Sequence, residues 1–439
     1  MKLGTAVTTG ITALALALSF GCDNKKPKEI KVGVIQSLTG HFASMGEGAL
    51  YGIKAAVEDI NKQGGVKVGN ERIPITIVSV NAESDPNKAG ALAESLILQD
   101  HVQFIVSGDE PPPVHPIVSK MADTYKIPYV TGVGPEEPWL GMRSESPTKW
   151  AHTWAMGSFN IIAPAPAGDF RAKPGYTVMD SWLSQLDEFG AKTNKKIGLI
   201  VSDDPDGRGW YTLLGPVLKK KGYTVIGVEK NLGLVPMETT DFSSIIREWK
   251  DSGAEILWGN APAPFLGTVR KQCQSLGFNP KIMSLGRGAL NYDDVNSWGG
   301  DLPEGVCIEM WWDGTMTNCP GIAGATPRTL ADKWVKETKR PVLCTLGPGY
   351  AGIQVLVDAI ERAGSVESAK VNEALAKTDL MTIRGRVKFN QNQFSRGPIV
   401  FGQWFKTDKP EKWELKVIHS DHDFWPVAAK ALFPIPSSK

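Results

Sequence analysis

The chain has 439 residues, of which 42% are apolar and 22% are charged, and its 48 Lys and Arg almost balance its 47 Asp and Glu. This composition excludes a disordered tail protein, a collagen and a strongly basic nucleic-acid binder. At about 100–200 residues per domain, the length predicts two or three domains.

The amino terminus has the pattern of a secretory signal peptide over residues 1–21. An apolar run at 11–18 follows a charged start, and the small residue Gly21 precedes Cys22. Such a pattern predicts export and removal of the segment. The Gly21-Cys22 pair resembles a bacterial lipobox, so we expect Cys22 to be lipidated and residues 22–29 to form a tether. The two residues before Gly21 depart from that pattern, and ordinary cleavage nearby is the alternative. The expected location is the periplasm or the cell surface.

Four further cysteines follow in the body of the chain. They are Cys273, Cys307, Cys319 and Cys344. In an oxidising compartment four cysteines allow three pairings, and the sequence does not choose among one disulfide, two or none. Because they form neither a CxxC motif nor a cluster with histidine, we expect no metal site.

From residue 30 onward, short apolar strands alternate with segments of helical periodicity. The predicted strands cover 31–35, 75–80, 104–107, 128–131, 196–201, 223–228 and 255–258. The predicted helices lie around 50–60, 89–96, 213–218, 242–250 and 348–364. Alternation of this kind predicts βαβ units and parallel sheets covered on both faces. Since the pattern restarts at Lys196, we predict an α/β fold of two Rossmann-like, doubly wound lobes.

Motifs for common chemistries are absent or incomplete in the sequence. In the loop after the first strand, the third glycine of a G-x-G-x-x-G fingerprint, Gly52, comes one residue late. The acidic loop 203–207 would place Leu213 where a calcium loop needs Glu, so a turn is the better interpretation. The sequence contains no phosphate-binding P-loop, nucleophile elbow or H-E-x-x-H motif. We therefore expect neither an enzyme nor a cofactor.

Several of the 14 tryptophans stand near predicted strand ends. They are Trp150, Trp154, Trp210, Trp258, Trp311 and Trp312. Open α/β sheets bind ligands at the carboxyl ends of their strands, so these rings are candidates for an aromatic clamp. Packing in the core is the alternative for each of them.

The order of these motifs resembles the extracytoplasmic solute-binding proteins of branched-chain amino-acid type ABC importers, which have the type I periplasmic binding fold. The resemblance lies in runs 30–40 and 46–61, Gly64-Gly65, Asp85-Pro86, 196–200, Asp241-Phe242 and Tyr350-Ala351. It implies two lobes, 30–156 with 313–381 and 157–312 with 382–439, joined by a three-segment hinge. It also implies closure around a small molecule, a monomer, no nucleic acid, and permease and ATPase partners at the membrane.

The resemblance places ligand loops at 39–45, 107–114, 131–135, 203–210, 260–264 and 284–288. The candidate ligand-binding residues are Thr39, His41, Met45, Asp109, Glu110, Val133, Gly134, Asp206, Trp210, Ala261 and Arg287.

These loops depart from those of the amino-acid binders. Prolines 111–113 stand where that family offers serine hydroxyls and backbone N–H groups to the ligand carboxylate. Arg287 or Gly286 replaces the acid that pairs with the ligand ammonium. Arg287 suits a carboxylate, and Asp109 and Glu110 suit a hydroxyl, an amide or an amine. The alternative for Arg287 is an exposed loop residue.

From these residues we expect capture of a small organic solute for import, with an aromatic or apolar carboxylate or an amide as ligand. Two alternatives remain: a true leucine, isoleucine and valine binder, and a ligand-sensing module that serves a receptor.

Overall fold

A computed structural model describes residues 28–110, 112–144, 146, 148–227 and 232–437. The signal peptide, Cys22 and most of the tether lie outside these residues. Of the helices in the described ranges, none is both long enough and apolar enough to cross a bilayer.

The strands follow one another along the chain between Ile30 and His419. In order they are β1 Ile30–Gln36, β2 Val66–Val68, β3 Glu71–Ile73, β4 Ile75–Asn81, β5 Phe104–Val106, β6 Tyr129–Pro135, β7 Thr153–Phe159, β8 Lys196–Ser202, β9 Thr224–Ile226, β10 Leu234–Val235, β11 Ile256–Ala261, β12 Ile282–Arg287, β13 Cys307–Met310, β14 Asp379–Thr382, β15 Gly385–Lys388, β16 Phe394–Arg396, β17 Val400–Lys406 and β18 Trp413–His419.

The helices occupy most of the segments between these strands. In order they are α1 Ala43–Lys62, α2 Pro86–Leu98, α3 Val114–Tyr125, α4 Glu136–Ser144, α5 Val178–Phe189, α6 Pro205–Lys220, α7 Ser243–Asp251, α8 Ala263–Ser275, α9 Tyr292–Asn296, α10 Pro327–Thr338, α11 Leu346–Ala363 and α12 Ser368–Ala376.

Two large sheets organise the molecule. The first has the order β16-β7-β6-β5-β1-β4, and all of its pairs are parallel. The second has the order β10-β8-β11-β12-β13-β17-β18, with β9 paired to β8. In this sheet the neighbouring strands β8, β11, β12 and β13 are parallel, and β17 and β18 extend the sheet as antiparallel strands. The predicted α/β class with parallel sheets is confirmed.

The first sheet contains residues that the predicted lobe boundaries assigned to the other lobe. Strand β7 continues to Phe159, beyond the predicted boundary at 156. Strand β16, at 394–396, pairs with β7 although the prediction assigned it to the other lobe. The prediction missed β16 because three residues are too few to show strand periodicity. The three-segment hinge stays a prediction.

Helix α11, late in the chain, packs on α1, the helix that follows β1 of the first sheet. The two helices approach closely at glycines: a Cβ on Gly52 would lie 2.0 Å from the Leu346 carbonyl oxygen, and one on Gly349 would lie 2.1 Å from that of Ala49. Any larger residue would force the helices apart. This contact fixes α1, whose first turn borders the site described below.

The four described cysteines, predicted to pair in three possible ways or not at all, are buried free thiols.

Candidate functional site

The carboxyl ends of strands from both sheets border one cleft. From the first sheet and its loops come Phe42, Met45, Glu110, Pro112, Val133, Gly134, Pro135 and Phe159. From the second come Asp206, Trp210, Asn260, Arg287, Glu309 and Trp311. The space between them that no atom fills is about 450 Å³, part of it open to solvent. Crevices at strand carboxyl ends are where open α/β sheets bind ligands.

Glu110 is the charged group on the first wall of the cleft. Its Oε1 accepts hydrogen bonds from Gln36 Nε2 at 2.5 Å and from the Ser37 backbone N–H at 2.6 Å. Its Oε2 accepts from Ser37 Oγ at 2.6 Å. Burial raises the pKa of Glu110 to about 7 against the effect of these donors. The carboxyl is therefore fixed in orientation and poised to ionise near neutral pH.

Asp109 lies fully buried behind this wall and does not border the cleft. Its Oδ1 accepts from the Val133 backbone N–H at 3.0 Å, which holds the β6 end in place. Burial raises the pKa of Asp109 to about 7, opposed by the nearby Arg384 guanidinium. Asp109 thus supports the first wall and does not reach the ligand space.

Arg287 on the second wall is engaged by two carboxylates. Its Nη2 donates to Ser202 Oγ at 2.6 Å and to Asp204 Oδ2 at 3.0 Å, and its Nε lies 3.2 Å from Asp206 Oδ2. The side chain is 10% exposed. In this structure the two acids already match the charge of Arg287, so it is not free to pair with a carboxylate, and its role in ligand binding stays a prediction.

The α6 amino terminus places these acids where Arg287 can reach them. Asp204 caps the helix and accepts from the backbone N–H groups of Asp206 at 3.0 Å and Gly207 at 2.9 Å. Burial alone would raise the pKa of Asp204, but Arg287 and these donors hold it below its ordinary value. The predicted turn at 203–207 is a helix cap, as its Asp-Pro-Asp sequence favours.

Two more carboxyls complete the second wall. Burial raises the pKa of Asp206, and the Arg287 guanidinium opposes the rise. Burial also raises the pKa of Glu309 to about 7, although Trp182 Nε1 donates to its Oε2 at 2.7 Å. Asn260 Nδ2 donates to Asp206 Oδ2 at 2.9 Å. Each carboxyl is therefore oriented by a donor that packs beside it, Asn260 of β11 for Asp206 and Trp182 of α5 for Glu309.

Aromatic rings fill much of the remaining wall. Phe159 and Trp311 lie nearly parallel, with ring centroids 6.0 Å apart and an interplanar angle of 12°. Trp210 packs on Trp182, with centroids 4.8 Å apart. Together with Phe42, these rings give the cleft an apolar surface that surrounds its carboxyls.

Polar contacts join the two sheets beside the cleft. Ser44 Oγ on α1 donates to Asp294 Oδ2 on α9 at 2.9 Å. Arg340 donates to Glu47 of α1 through Nη1 at 2.6 Å and Nη2 at 3.0 Å, and Nη2 also bonds Asp293 of α9. These contacts hold the two walls at their present separation.

Seven of the predicted site residues border the cleft. They are Met45, Glu110, Val133, Gly134, Asp206, Trp210 and Arg287. Thr39 and His41 are exposed and do not border it, and Ala261 is buried in β11. The loop turns Thr39 outward because Asn81 Nδ2 donates to its Oγ1 at 3.0 Å and Ser84 Oγ to its carbonyl at 2.8 Å. The structure therefore does not bring Thr39, His41, Asp109 and Ala261 to the cleft, and their predicted role in ligand binding stays a prediction.

Six residues that border the cleft were not among the named candidates. Phe42, Pro112, Pro135 and Asn260 lie in the predicted ligand loops, whereas Phe159 and Glu309 lie outside them. Glu309 left a signal in the sequence, because an acid interrupts the otherwise apolar run 306–312. Of the candidate clamp tryptophans, Trp210 and Trp311 border the cleft. The other four are buried elsewhere: Trp150, Trp154, Trp258 and Trp312.

Within the ranges that the structure describes, no three His, Cys, Asp or Glu side chains are arranged to hold a metal ion.

Comparison with known proteins gives the same fold and a family. The leucine-, isoleucine-, valine-, threonine- and alanine-binding protein of Pseudomonas aeruginosa is 23% identical over 394 residues, which cover 89% of this chain and 94% of that protein. Leu/Ile/Val-binding protein homolog 3 of Brucella melitensis is 24% identical over 369 residues, covering 83% and 88%.

Solved structures show the fold at lower identity. A leucine-binding protein from Thermotoga maritima superposes with a TM-score of 0.67 at 16% identity, covering 89% of this chain and 99% of that one. A solute-binding protein of Rhodopseudomonas palustris, crystallised with 4-hydroxybenzoate, gives 0.66 at 21% identity, covering 91% and 98%. The family model described as periplasmic binding protein matches residues 29–409. This chain belongs to the periplasmic binding protein family.

Proposed function

We propose that this protein captures a small organic solute in the cleft and closes its two sheets around it, without chemical change to the solute. One observation carries the proposal: side chains at the strand ends of both sheets border a single cleft and bury their charges there. A ligand that touches both walls stabilises the arrangement in which they approach, and closure follows from that difference in affinity.

We further propose that the closed form delivers its solute to the permease and ATPase of an ABC importer. Relatives named as amino-acid binding proteins match most of this chain, and structures of the same fold are named as substrate- or solute-binding proteins of transporters, which supports a role in uptake. The signal-like segment and Cys22 support attachment by a lipid at the outer face of a membrane. Replacement of Cys22 by Ser should release the protein into the soluble fraction, and retention in membranes would contradict anchoring at that residue.

Two ligand classes have support from the similar proteins. Solved structures of related fold hold isoleucine in one case and 4-hydroxybenzoate in another, which favours an amino acid or an aromatic carboxylate. Both ligands carry a carboxylate, which would need a free cation or backbone N–H groups. Arg287 is matched by Asp204 and Asp206, and Pro112 has no N–H to donate.

The test of capture is solution scattering on the purified protein with and without a saturating ligand. A panel of leucine, isoleucine, benzoate, benzamide and benzylamine is first screened by thermal unfolding. A ligand at about 100 times its dissociation constant adds about 2.7 kcal/mol of stability. We expect the radius of gyration to fall on binding, and an unchanged envelope at saturation would contradict closure.

A further inference from the structure

The charges that border the cleft are strongly unequal. Glu110, Asp206 and Glu309 border it directly, and Asp204 lies against Arg287 on the same wall. Among the described residues, Arg287 is the one lysine or arginine that borders the cleft, and it is shared between two of these acids. Three carboxyls therefore border the cleft, with Asp204 behind them, against a single guanidinium, which disfavours an anionic ligand.

The hydrogen-bonding groups of the acids point to a ligand that donates. Oδ1 of Asp206, a residue that is 4% exposed, completes no hydrogen bond among the described residues. The indole nitrogens of Trp210 and Trp311 likewise complete no hydrogen bond among the described residues, so the wall also carries two N–H donors. The unpartnered carboxyl oxygen of Asp206 is the acceptor that an ammonium or another N–H group of a ligand would satisfy.

The aromatic rings add a second, independent attraction for positive charge. Phe42, Phe159, Trp210 and Trp311 all border the same space as the carboxyls. The faces of such rings attract an organic cation by about 0.5–2 kcal/mol each, more when water is excluded. A carboxylate gains nothing from these faces.

We propose that the cleft takes a small organic cation, an amine or a quaternary ammonium on a compact apolar body, with the charge at the lining carboxyls Glu110, Asp206 and Glu309 and the body against the aromatic rings. This inference rests on the proposed function, since it names the ligand of the same cleft. It departs from the sequence-based expectation of a carboxylate because of the pairing of Arg287, which the sequence does not reveal.

The test compares ligands that share a shape and differ in charge, by calorimetric titration of the purified protein. The first set is benzylamine, benzamide and benzoate. The second is choline and its neutral isostere 3,3-dimethylbutan-1-ol. We expect at least one cation to bind at least tenfold more tightly than its uncharged partner, with benzoate weakest. Tighter binding of benzoate, benzamide or leucine would overturn the proposal while leaving solute capture intact.

Variants assign the effect to the cleft. Glu309→Gln keeps an acceptor for Trp182 and should weaken binding of the cation at least tenfold. Glu110→Gln repeats the measurement of cation affinity at the opposite wall. Glu188→Gln, on the exposed face of α5, is the matched control and should leave binding unchanged. Circular dichroism of each variant checks that it folds. Equal cation affinity in all three variants would overturn the proposal. Failure of every ligand, cation or anion, to bind or to compact the protein would instead count against both the cation and solute capture.

Discussion

The cleft between the two sheets differs from a larger opening, which strands of the second sheet border. The outer groove, bordered by α10, the β17–β18 hairpin and residues 313–315, has about 1250 Å³ of unfilled space against about 450 Å³ in the cleft. Its charged side chains are exposed or half-buried, as in the pair of Arg328 and Asp332, at 70% and 67% exposure. In the cleft the charges are buried. Buried charge selects a partner, because solvent no longer screens it.

The largest difference in stability between the two openings is expected when one arginine is removed from each. Arg287→Ala leaves Asp204 and Asp206 buried without their counter-charge, and we expect a loss of about 3–5 kcal/mol in the free energy of unfolding. Arg328→Ala in the outer groove removes an exposed pair within one helix, which should cost less than about 0.5 kcal/mol. Urea denaturation measures both. Similar losses of stability in the two variants would show that the two openings do not differ in how their charges are buried.

The second test uses the pH dependence of stability. The pKa of Glu309 is raised to about 7 by burial, so the folded state holds this proton more tightly than the unfolded chain. Its contribution to stability is full below the ordinary pKa of 4.5 and is lost as the pH rises through about 7. Glu309→Gln cannot ionise, so at pH 8.5 it should be more stable than the parent by on the order of 2 kcal/mol.

At pH 4.5 the free energy of unfolding of this variant should be close to that of the parent, because Glu309 of the parent is then at least half protonated in both the folded and the unfolded states. Glu411→Gln, which borders the outer groove, serves as the control and should not change the pH profile. Thermal unfolding across pH 4.5–8.5 gives the measurement. A stability difference for Glu309→Gln that stays constant with pH would contradict a buried, titrating carboxyl.

The smallest effect is expected at the contact that joins the walls. Arg340→Ala removes the bridge from Glu47 to Asp293, and because these groups are partly exposed the stability loss should stay below about 1 kcal/mol. The radius of gyration without ligand should nevertheless rise. Lys62→Ala breaks an ion pair that lies within α1, with Glu58 at 2.8 Å, and should leave the scattering unchanged. Identical scattering curves for both variants would exclude Arg340 as a restraint on the cleft.

The sequence was informative where local pattern determines structure. Apolar runs located β1, β4, β8 and β11, and the six predicted ligand loops all reach the cleft. Local pattern fails where distant residues decide orientation. Thr39 faces outward because of Asn81, at the end of β4, and Ser84, in the loop that follows. Arg287 is neutralised by acids about 80 positions earlier in the chain, and no spacing rule connects them.

The missed acid shows a different limit. Glu309 lies within a short strand between apolar neighbours, and an isolated acid there is compatible with either a surface edge or a buried partner. The burial of Glu309 depends on Trp182, which lies on a helix more than 120 residues earlier and donates a hydrogen bond to Glu309. Tertiary hydrogen bonds of this kind have no signature in one sequence.

The buried thiols have a practical consequence for reporting on the ligand. Burial raises the pKa of Cys273 to about 12, so its thiol is not a nucleophile at neutral pH, and the other three described cysteines are likewise enclosed. With Cys22 replaced, a cysteine introduced at exposed Thr39 would be the accessible reactive group of the folded body. A fluorescent dye attached there, on the loop that carries Phe42, would turn this protein into an optical sensor of its own solute.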